Sequence, residues 1–170
     1  NSFSNKINDK TRYNHFYNKI GLAYKSSKLG DLEFFIDDNK YNYYYNNVIL
    51  DSQGNVNIPN AINDRINSIG GSYTYFKDKL VGKIIISNAI TDQSISNIEA
   101  NLYYKLNDDY QFKFRYQKLN SLPSLNYALY QNDYINYNWY NNFKNEKVNQ
   151  FSVEANSKWV NLSLQYKILD

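Results

Sequence analysis

Cysteine is absent from the 170 residues, and histidine occurs once, at His15. Without thiols there is no disulfide, no cysteine nucleophile and no thiolate metal site, and one imidazole cannot make a site that needs two. Metalloenzymes and Ser-His-Asp hydrolases therefore have little to build on, and no metal site is expected. Long apolar runs are missing as well. The purely apolar strings are about as short as Ile84-Ile85-Ile86 and the mean hydropathy is -0.71, whereas a spanning helix needs roughly 20 consecutive apolar residues. No transmembrane helix is expected. Charge of a single sign is scarce too: 19 Lys and Arg stand against 16 Asp and Glu, a net +3 spread along the chain. Nucleic acid therefore finds no basic patch to bind. The sequence starts at Asn1 without Met or a charged and apolar leader, which marks a mature form or a piece of something longer.

Aromatic residues, by contrast, are abundant. Tyr occurs 19 times, Phe 9 and Trp twice, so that 18% of the chain is aromatic, much of it rings with a polar tip that suit boundaries between apolar and wet surroundings. The other abundant signal is alternation with a period of two. Ile98, Ala100, Leu102, Tyr104 and Leu106 alternate with Asn97, Glu99, Asn101, Tyr103 and Lys105. After the turn Asn107-Asp108-Asp109, Tyr110, Phe112, Phe114 and Tyr116 alternate with Gln111, Lys113, Arg115 and Gln117, which predicts a hairpin. Val160, Leu162, Leu164, Tyr166 and Ile168 repeat the device against Asn161, Ser163, Gln165 and Lys167. Weaker alternation predicts hairpins on either side of residues 27–30 and of Lys77-Asp78-Lys79, and a further one from Ile135, Tyr137 and Trp139 through Asn141-Asn142 to Phe151, Val153 and Ala155. The pattern predicts about nine strands and no helix.

Connections alternate in length. Short turns are expected near 27–30, 77–79, 107–109 and 141–146, and longer polar links near 46–66, 88–96 and 119–133, with the short link near 156–158 breaking the rule. Pro59 and Pro123 fall in long links, where a missing N–H harms no ladder. The expected fold class is all-β, an antiparallel up-and-down transmembrane β-barrel, with residues 1–170 forming a segment of a single barrel domain and no second domain. Two faces follow from the alternation. Lys19, Lys25, Lys83, Glu99, Lys105, Lys113, Arg115, Glu154 and Lys167 are the candidate pore-lining residues, a mixed and mildly basic set. Ile98, Leu102, Tyr104, Phe112, Phe114, Leu162 and Leu164 are the candidate lipid-facing residues. Tyr and Trp flanking the turns and loops would form aromatic girdles at the two membrane interfaces. A soluble β-sandwich, such as an adhesin-type module that binds glycans, uses the same period and stays open as an alternative.

Three local features invite chemical readings. His15 is read as a solvated strand residue rather than a pH-sensitive lumen group. The carboxylate pairs Asp37-Asp38 and Asp108-Asp109 are read as turn chemistry, since adjacent strand residues face opposite ways. Asp51-Ser52-Gln53-Gly54-Asn55 lacks the ligand spacing and terminal Glu of a calcium loop and is read as a loop-tip turn.

One stretch carries more than pattern. The run Leu122-Pro123-Ser124-Leu125-Asn126-Tyr127-Ala128-Leu129-Tyr130-Gln131-Asn132-Asp133-Tyr134-Ile135-Asn136-Tyr137-Asn138-Trp139, followed by Asn142-Phe143-Lys144-Asn145-Glu146-Lys147, resembles the putative porin family of Bacteroidota outer membranes. Gly70-Gly71-Ser72-Tyr73-Thr74-Tyr75 and Ser87-Asn88-Ala89-Ile90-Thr91-Asp92-Gln93-Ser94 resemble it too. The resemblance implies a porin-type barrel in the bacterial outer membrane, with no enzymatic activity and no cofactor, that lets small hydrophilic solutes diffuse passively. Its partners would be membrane lipid, those solutes, and other outer-membrane proteins or further copies of itself. Members of that family are longer and carry a signal peptide, so this chain is expected to be one part of a barrel. Within the same fold, a subunit of a transporter, export or surface assembly is the alternative.

Overall fold

The computed structural model describes residues 9–169. In chain order they form β1 (Arg12–Ser26), β2 (Gly30–Tyr44), β3 (Ile49–Leu50), β4 (Val56–Ile58), β5 (Ala61–Lys77), β6 (Leu80–Ala89), β7 (Ser96–Lys105), β8 (Tyr110–Ser121), α1 (Leu125–Ala128), β9 (Leu129–Tyr130), β10 (Trp139–Tyr140), β11 (Glu146–Ser157) and β12 (Asn161–Leu169). Eight strands make one antiparallel up-and-down sheet in the order β1-β2-β5-β6-β7-β8-β11-β12, while β3 pairs with β4 and β9 with β10. Among the described residues β1 and β12 do not pair with each other, so the sheet is open and closure into a barrel is not seen.

The turns follow from their residues. Gly30 has φ +88°, a left-handed conformation that costs glycine nothing, and a Cβ there would stand 2.4 Å from the Thr74 carbonyl oxygen. In the β7–β8 turn the Asn107 side-chain oxygen accepts the backbone N–H groups of Asp109 (3.0 Å) and Tyr110 (2.8 Å). The neighbouring Asp108 carboxylate lies 2.7 Å from Lys105 Nζ, and this hydrogen bond and ion pair hold its carboxyl below the usual range. At the tip of the β3–β4 hairpin, Asp51 Oδ1 accepts the N–H groups of Gln53 (2.8 Å) and Asn55 (2.9 Å), the loop-tip turn expected there.

Two expectations are corrected. Ile135, Tyr137 and Trp139 do not form a long strand, and the 141–146 hairpin does not exist; β11 pairs with β8 and β12 instead. Asn138 is the reason. Its side-chain oxygen accepts the Asn132 N–H (2.7 Å) while its Nδ2 donates to the carbonyls of Tyr134 (2.7 Å) and Ile135 (3.3 Å), curling the segment on itself. Only Trp139–Tyr140 is extended, against Leu129–Tyr130, just after the four-residue α1 that the alternation did not predict. With that strand removed, eight long strands remain rather than nine. Every short turn then alternates with a longer link, and the exception near 156–158 disappears. Asp37-Asp38 is the other correction: the pair lies inside β2 rather than beside a turn, and Asp38 accepts two hydrogen bonds from Arg65, at 2.7 and 2.9 Å.

The chain divides into two compact units, and β1, β2 and β5 contribute residues to both. One comprises residues 19–37, 67–121 and 145–169 and is sheet throughout. The other comprises 9–18, 38–66 and 122–144. Its core is small: Tyr45, Ile58 and the fully buried Leu129, with Tyr43, Ile49, Ile62 and Tyr130 packed around them. Tyr130 stacks on Trp139 with ring centroids 4.6 Å apart.

Candidate functional site

The candidate site is a pair of faces, and strand register builds both. Cross-strand partners in an antiparallel ladder share a face. One row runs Tyr73, Ile84, Ala100, Tyr116, Phe151 and Tyr166 across β5 to β12, and the next runs Tyr75, Gly82, Leu102, Phe114, Val153 and Leu164. A third adds Leu80, Tyr104, Phe112, Ala155 and Leu162, with Lys77 at its β5 end beside the turn. Ile98 belongs to the fourth row, with Ile86, Lys118 and Asn149. Register thus brings all seven apolar candidates to one face.

The opposite face is polar by the same register. Thr74, Lys83, Asn101, Arg115, Ser152 and Gln165 form one row, and Ser72, Ile85, Glu99, Gln117, Gln150 and Lys167 form another. Lys113 and Glu154 face each other in a third, their charged groups 3.4 Å apart, and Lys105 joins this face opposite Gln111. Arg115 donates to Asn101 Oδ1 at 3.1 Å, and Asn101 in turn donates to Glu99 at 2.7 Å. Lys19 pairs with Glu33 at 2.9 Å and stands 3.8 Å from the centroid of the Phe35 ring, while Glu33 accepts from Ser72 at 3.2 Å. Lys25 alternates with Lys19 on β1. All nine charged candidates therefore share one face.

That set was incomplete. The alternation of Leu32, Phe34 and Ile36 against Glu33 and Asp37 was visible in the sequence, and carried one strand further it puts Asp31, Glu33 and Asp37 on the polar face; pairing with Ser121 adds Glu146. These carboxylates bring the face closer to charge balance than the nine residues suggest. His15 is an exposed residue of β1, with its Nε2 2.7 Å from Asn39 Oδ1.

On β2, β7 and β11 exposure distinguishes the two faces in a direction opposite to that of a soluble sheet, whereas on β8 Lys113 and Arg115 are exposed along with Phe114 and Tyr116. On β2, Leu32, Phe34 and Ile36 are exposed while Asp31, Glu33 and Asp37 are half-buried. On β7, Ile98 and Leu102 are exposed and every residue of the polar face is half-buried. On β11, Phe151 is 45% exposed between the half-buried Gln150 and Ser152. A soluble sandwich hides its apolar face under a second sheet, whereas Phe34, Leu102 and Phe151 are exposed here.

Comparison with known proteins gives one match. A family model described as a putative porin covers residues 1–170, the entire chain. No curated protein and no solved structure matches.

Proposed function

The chain belongs to the putative porin family, and we propose that it builds part of the wall of an outer-membrane β-barrel through which small hydrophilic solutes diffuse passively. One observation carries this reading: on β2, β7 and β11 the apolar face is the more exposed face. A sheet in water would spend free energy to display Phe34, Ile84, Leu102 and Phe151, at roughly 25 cal/mol for each Å² of apolar surface, whereas a sheet in lipid gains by it. Strand length agrees. β6 and β7 have ten residues each, about 33 Å at 3.3 Å per residue, and a tilt near 40° brings that to about 25 Å, the height of an outer-membrane apolar band. Ile98, Leu102, Tyr104, Phe112, Phe114, Leu162 and Leu164 then meet lipid. Tyr104 and Tyr110, near the turn-side border, supply rings for an interfacial girdle. Lys83, Glu99, Lys113, Arg115 and Glu154 face the lumen, where their charges tune which ions pass.

The open edges bear on closure. In hydrocarbon each unpaired backbone group costs several kcal/mol, so β1 and β12 require further partner strands. A ring of only eight would be filled by side chains. Conductance tests the reading directly: the purified protein added to planar bilayers should give ohmic channels, and Glu substituted together at Lys83, Lys113 and Arg115 should shift the ion preference toward cations. A protein that stays soluble without detergent, or that inserts and conducts nothing, overturns it. The same open edges also favour a second reading, a barrel segment within a transport, export or surface assembly. A detergent-solubilised particle containing other polypeptides in fixed ratio would select that reading.

A further inference from the structure

We propose that the cavity bounded by residues 45–50 and 131–133 is a binding subsite for a neutral saccharide of one or two rings. The inference rests on the porin reading and narrows its solute class. The cavity has a volume of about 470 Å³, within the ordinary range for small-molecule sites, and lies wholly within the unit that contains Leu129. Its floor is fixed. Tyr45 is 5% exposed, donates its N–H to the Asn60 carbonyl (2.7 Å), and has its hydroxyl 2.9 Å from that of Tyr43.

Gln131 points to a ligand. The residue is only 5% exposed and lines the cavity, and its Nε2 donates to the Pro59 carbonyl at 2.7 Å. Among the described residues its Oε1 accepts nothing, a carbonyl oxygen held in place by its own amide and left without a donor. Asn46, Asn47, Asn132, Asp9 and Asp133 line the cavity with it, and Asn46 Oδ1 accepts from Arg12. The Asp133 N–H donates to Asp9 Oδ1 at 2.7 Å, and the Asn132 side-chain oxygen accepts the Tyr134 N–H at 2.7 Å, so these walls are braced. Asn47 makes no hydrogen bond among the described residues.

The donor set selects the ligand class. Carboxamides offer a donor and an acceptor on one planar group, the pattern that vicinal hydroxyls require, and residues 48–50 give an apolar wall to the C–H side of a sugar ring. The lining carries two carboxylates, Asp9 and Asp133, and one lysine, Lys10, so it offers an anionic ligand no net positive charge. A divalent cation is not favoured, because no group of three or more Asp, Glu or His among the described residues is close enough to hold one.

The test uses the purified protein in detergent, with Trp159→Phe as background so that emission reports Trp139, which stacks on Tyr130 beside Gln131. Glucose, maltose and cellobiose are titrated to 100 mM, with glucose 6-phosphate as the anionic control. At least one neutral sugar should saturate the signal in the millimolar range, and glucose 6-phosphate should bind at least tenfold more weakly than glucose. Asn47→Ala, which breaks no hydrogen bond among the described residues, should weaken binding about fivefold, the effect of one hydrogen bond. Gln131→Met should weaken it further with an unchanged near-ultraviolet dichroism spectrum. No saturation by any neutral sugar, equal binding of the phosphate, or an Asn47→Ala affinity equal to that of the parent each overturns the proposal. Ion conductance without sugar is measured on the same preparation. Channels without sugar binding defeat this inference alone; sugar binding without channels defeats the porin reading alone.

Discussion

Substituting Arg at Phe114 is the most direct trial of the lipid-facing surface. Phe114 is flanked in register by Leu102 and Val153, with Leu164 one strand beyond. It lies four residues from the start of β8 at Tyr110. At about 2.5 Å of height per residue on a strand tilted near 40°, that places it about 10 Å above the turn-side border, close to the middle of a band about 25 Å tall. Arg at midplane costs about 2–4 kcal/mol, or roughly 30- to 700-fold in the folding equilibrium. The native sequence supplies its own gradient: Lys118, four residues further along the same face, is tolerated near the opposite border. Arg at Tyr116 should therefore cost less than Arg at Phe114, and Arg at Lys118 almost nothing. Lys113→Gln is the control on the polar face. It loses an ion pair at 3.4 Å between side chains about half exposed, which screening reduces to about 0–0.5 kcal/mol. Reversible urea unfolding from lipid vesicles, followed by tryptophan emission, reads all four. Equal costs at Phe114 and Lys113, or no gradient from 114 to 118, would refute the assignment of this face to lipid.

Three further outcomes are expected. Gly30→Ala should destabilise by about 2 kcal/mol or more, because a Cβ would meet the Thr74 oxygen at 2.4 Å in a left-handed backbone; Gly54→Ala, at φ +85° with nothing within 4 Å, should lose only about 1 kcal/mol. Equal urea midpoints for the two variants would contradict the close approach. Asp51, whose carboxyl is held below its ordinary range by the N–H groups of Asn55 and Gln53, should order its loop at neutral pH. Because the folded value is the lower one, that order is fully present above about pH 4 and is lost as pH falls through the folded value. Amide exchange at Gln53 and Asn55 should show it, and Asp51→Ala should abolish the protection at pH 7; unchanged protection would count against the turn. Since the chain has no cysteine, single cysteines at 28, 78 and 108 or at 54, 92 and 123 can be labelled cleanly in intact cells. Only the second set should react, and mixed labelling would contradict the up-and-down path through the membrane.

The parts of the fold legible in the sequence are those where both faces are chemically distinct. β7, β8 and β12 alternate without a break, so their existence and facing could be read residue by residue. β2 is harder. Its alternation ends after Ile36, where Asp38 replaces an apolar residue to meet Arg65, so periodicity does not carry the strand on to Tyr44. The 122–145 link deceived in the other direction. Ile135, Tyr137 and Trp139 have a strand's spacing, but the bonds that decide their path come from the Asn138 and Asn132 side chains, and periodicity does not register side-chain capping of backbone groups. The charged candidates were legible because register preserves parity. Glu33 was missed because its partner Lys19 lies fourteen residues away across a turn, and only coordinates show the two in contact. The Gln131 cavity left no trace in the sequence, since its walls come from three separated segments.

Opposed chemistry on the two faces also disciplines assembly. A slip of one residue in a strand turns every side chain over. If the wall is the one proposed above, such a slip in β8 would drive Lys113 and Arg115 into the hydrocarbon and turn Phe112 and Phe114 inward. At about 2–4 kcal/mol for each buried charge, the error costs roughly 4–8 kcal/mol, well above the few tenths to one kcal/mol that distinguish one cross-strand pair from another. Mispaired hairpins should thus be rejected at the bilayer surface before they insert, so that the lipid itself acts as the proofreader of strand alignment and a newly made chain need not find its register by pairing alone.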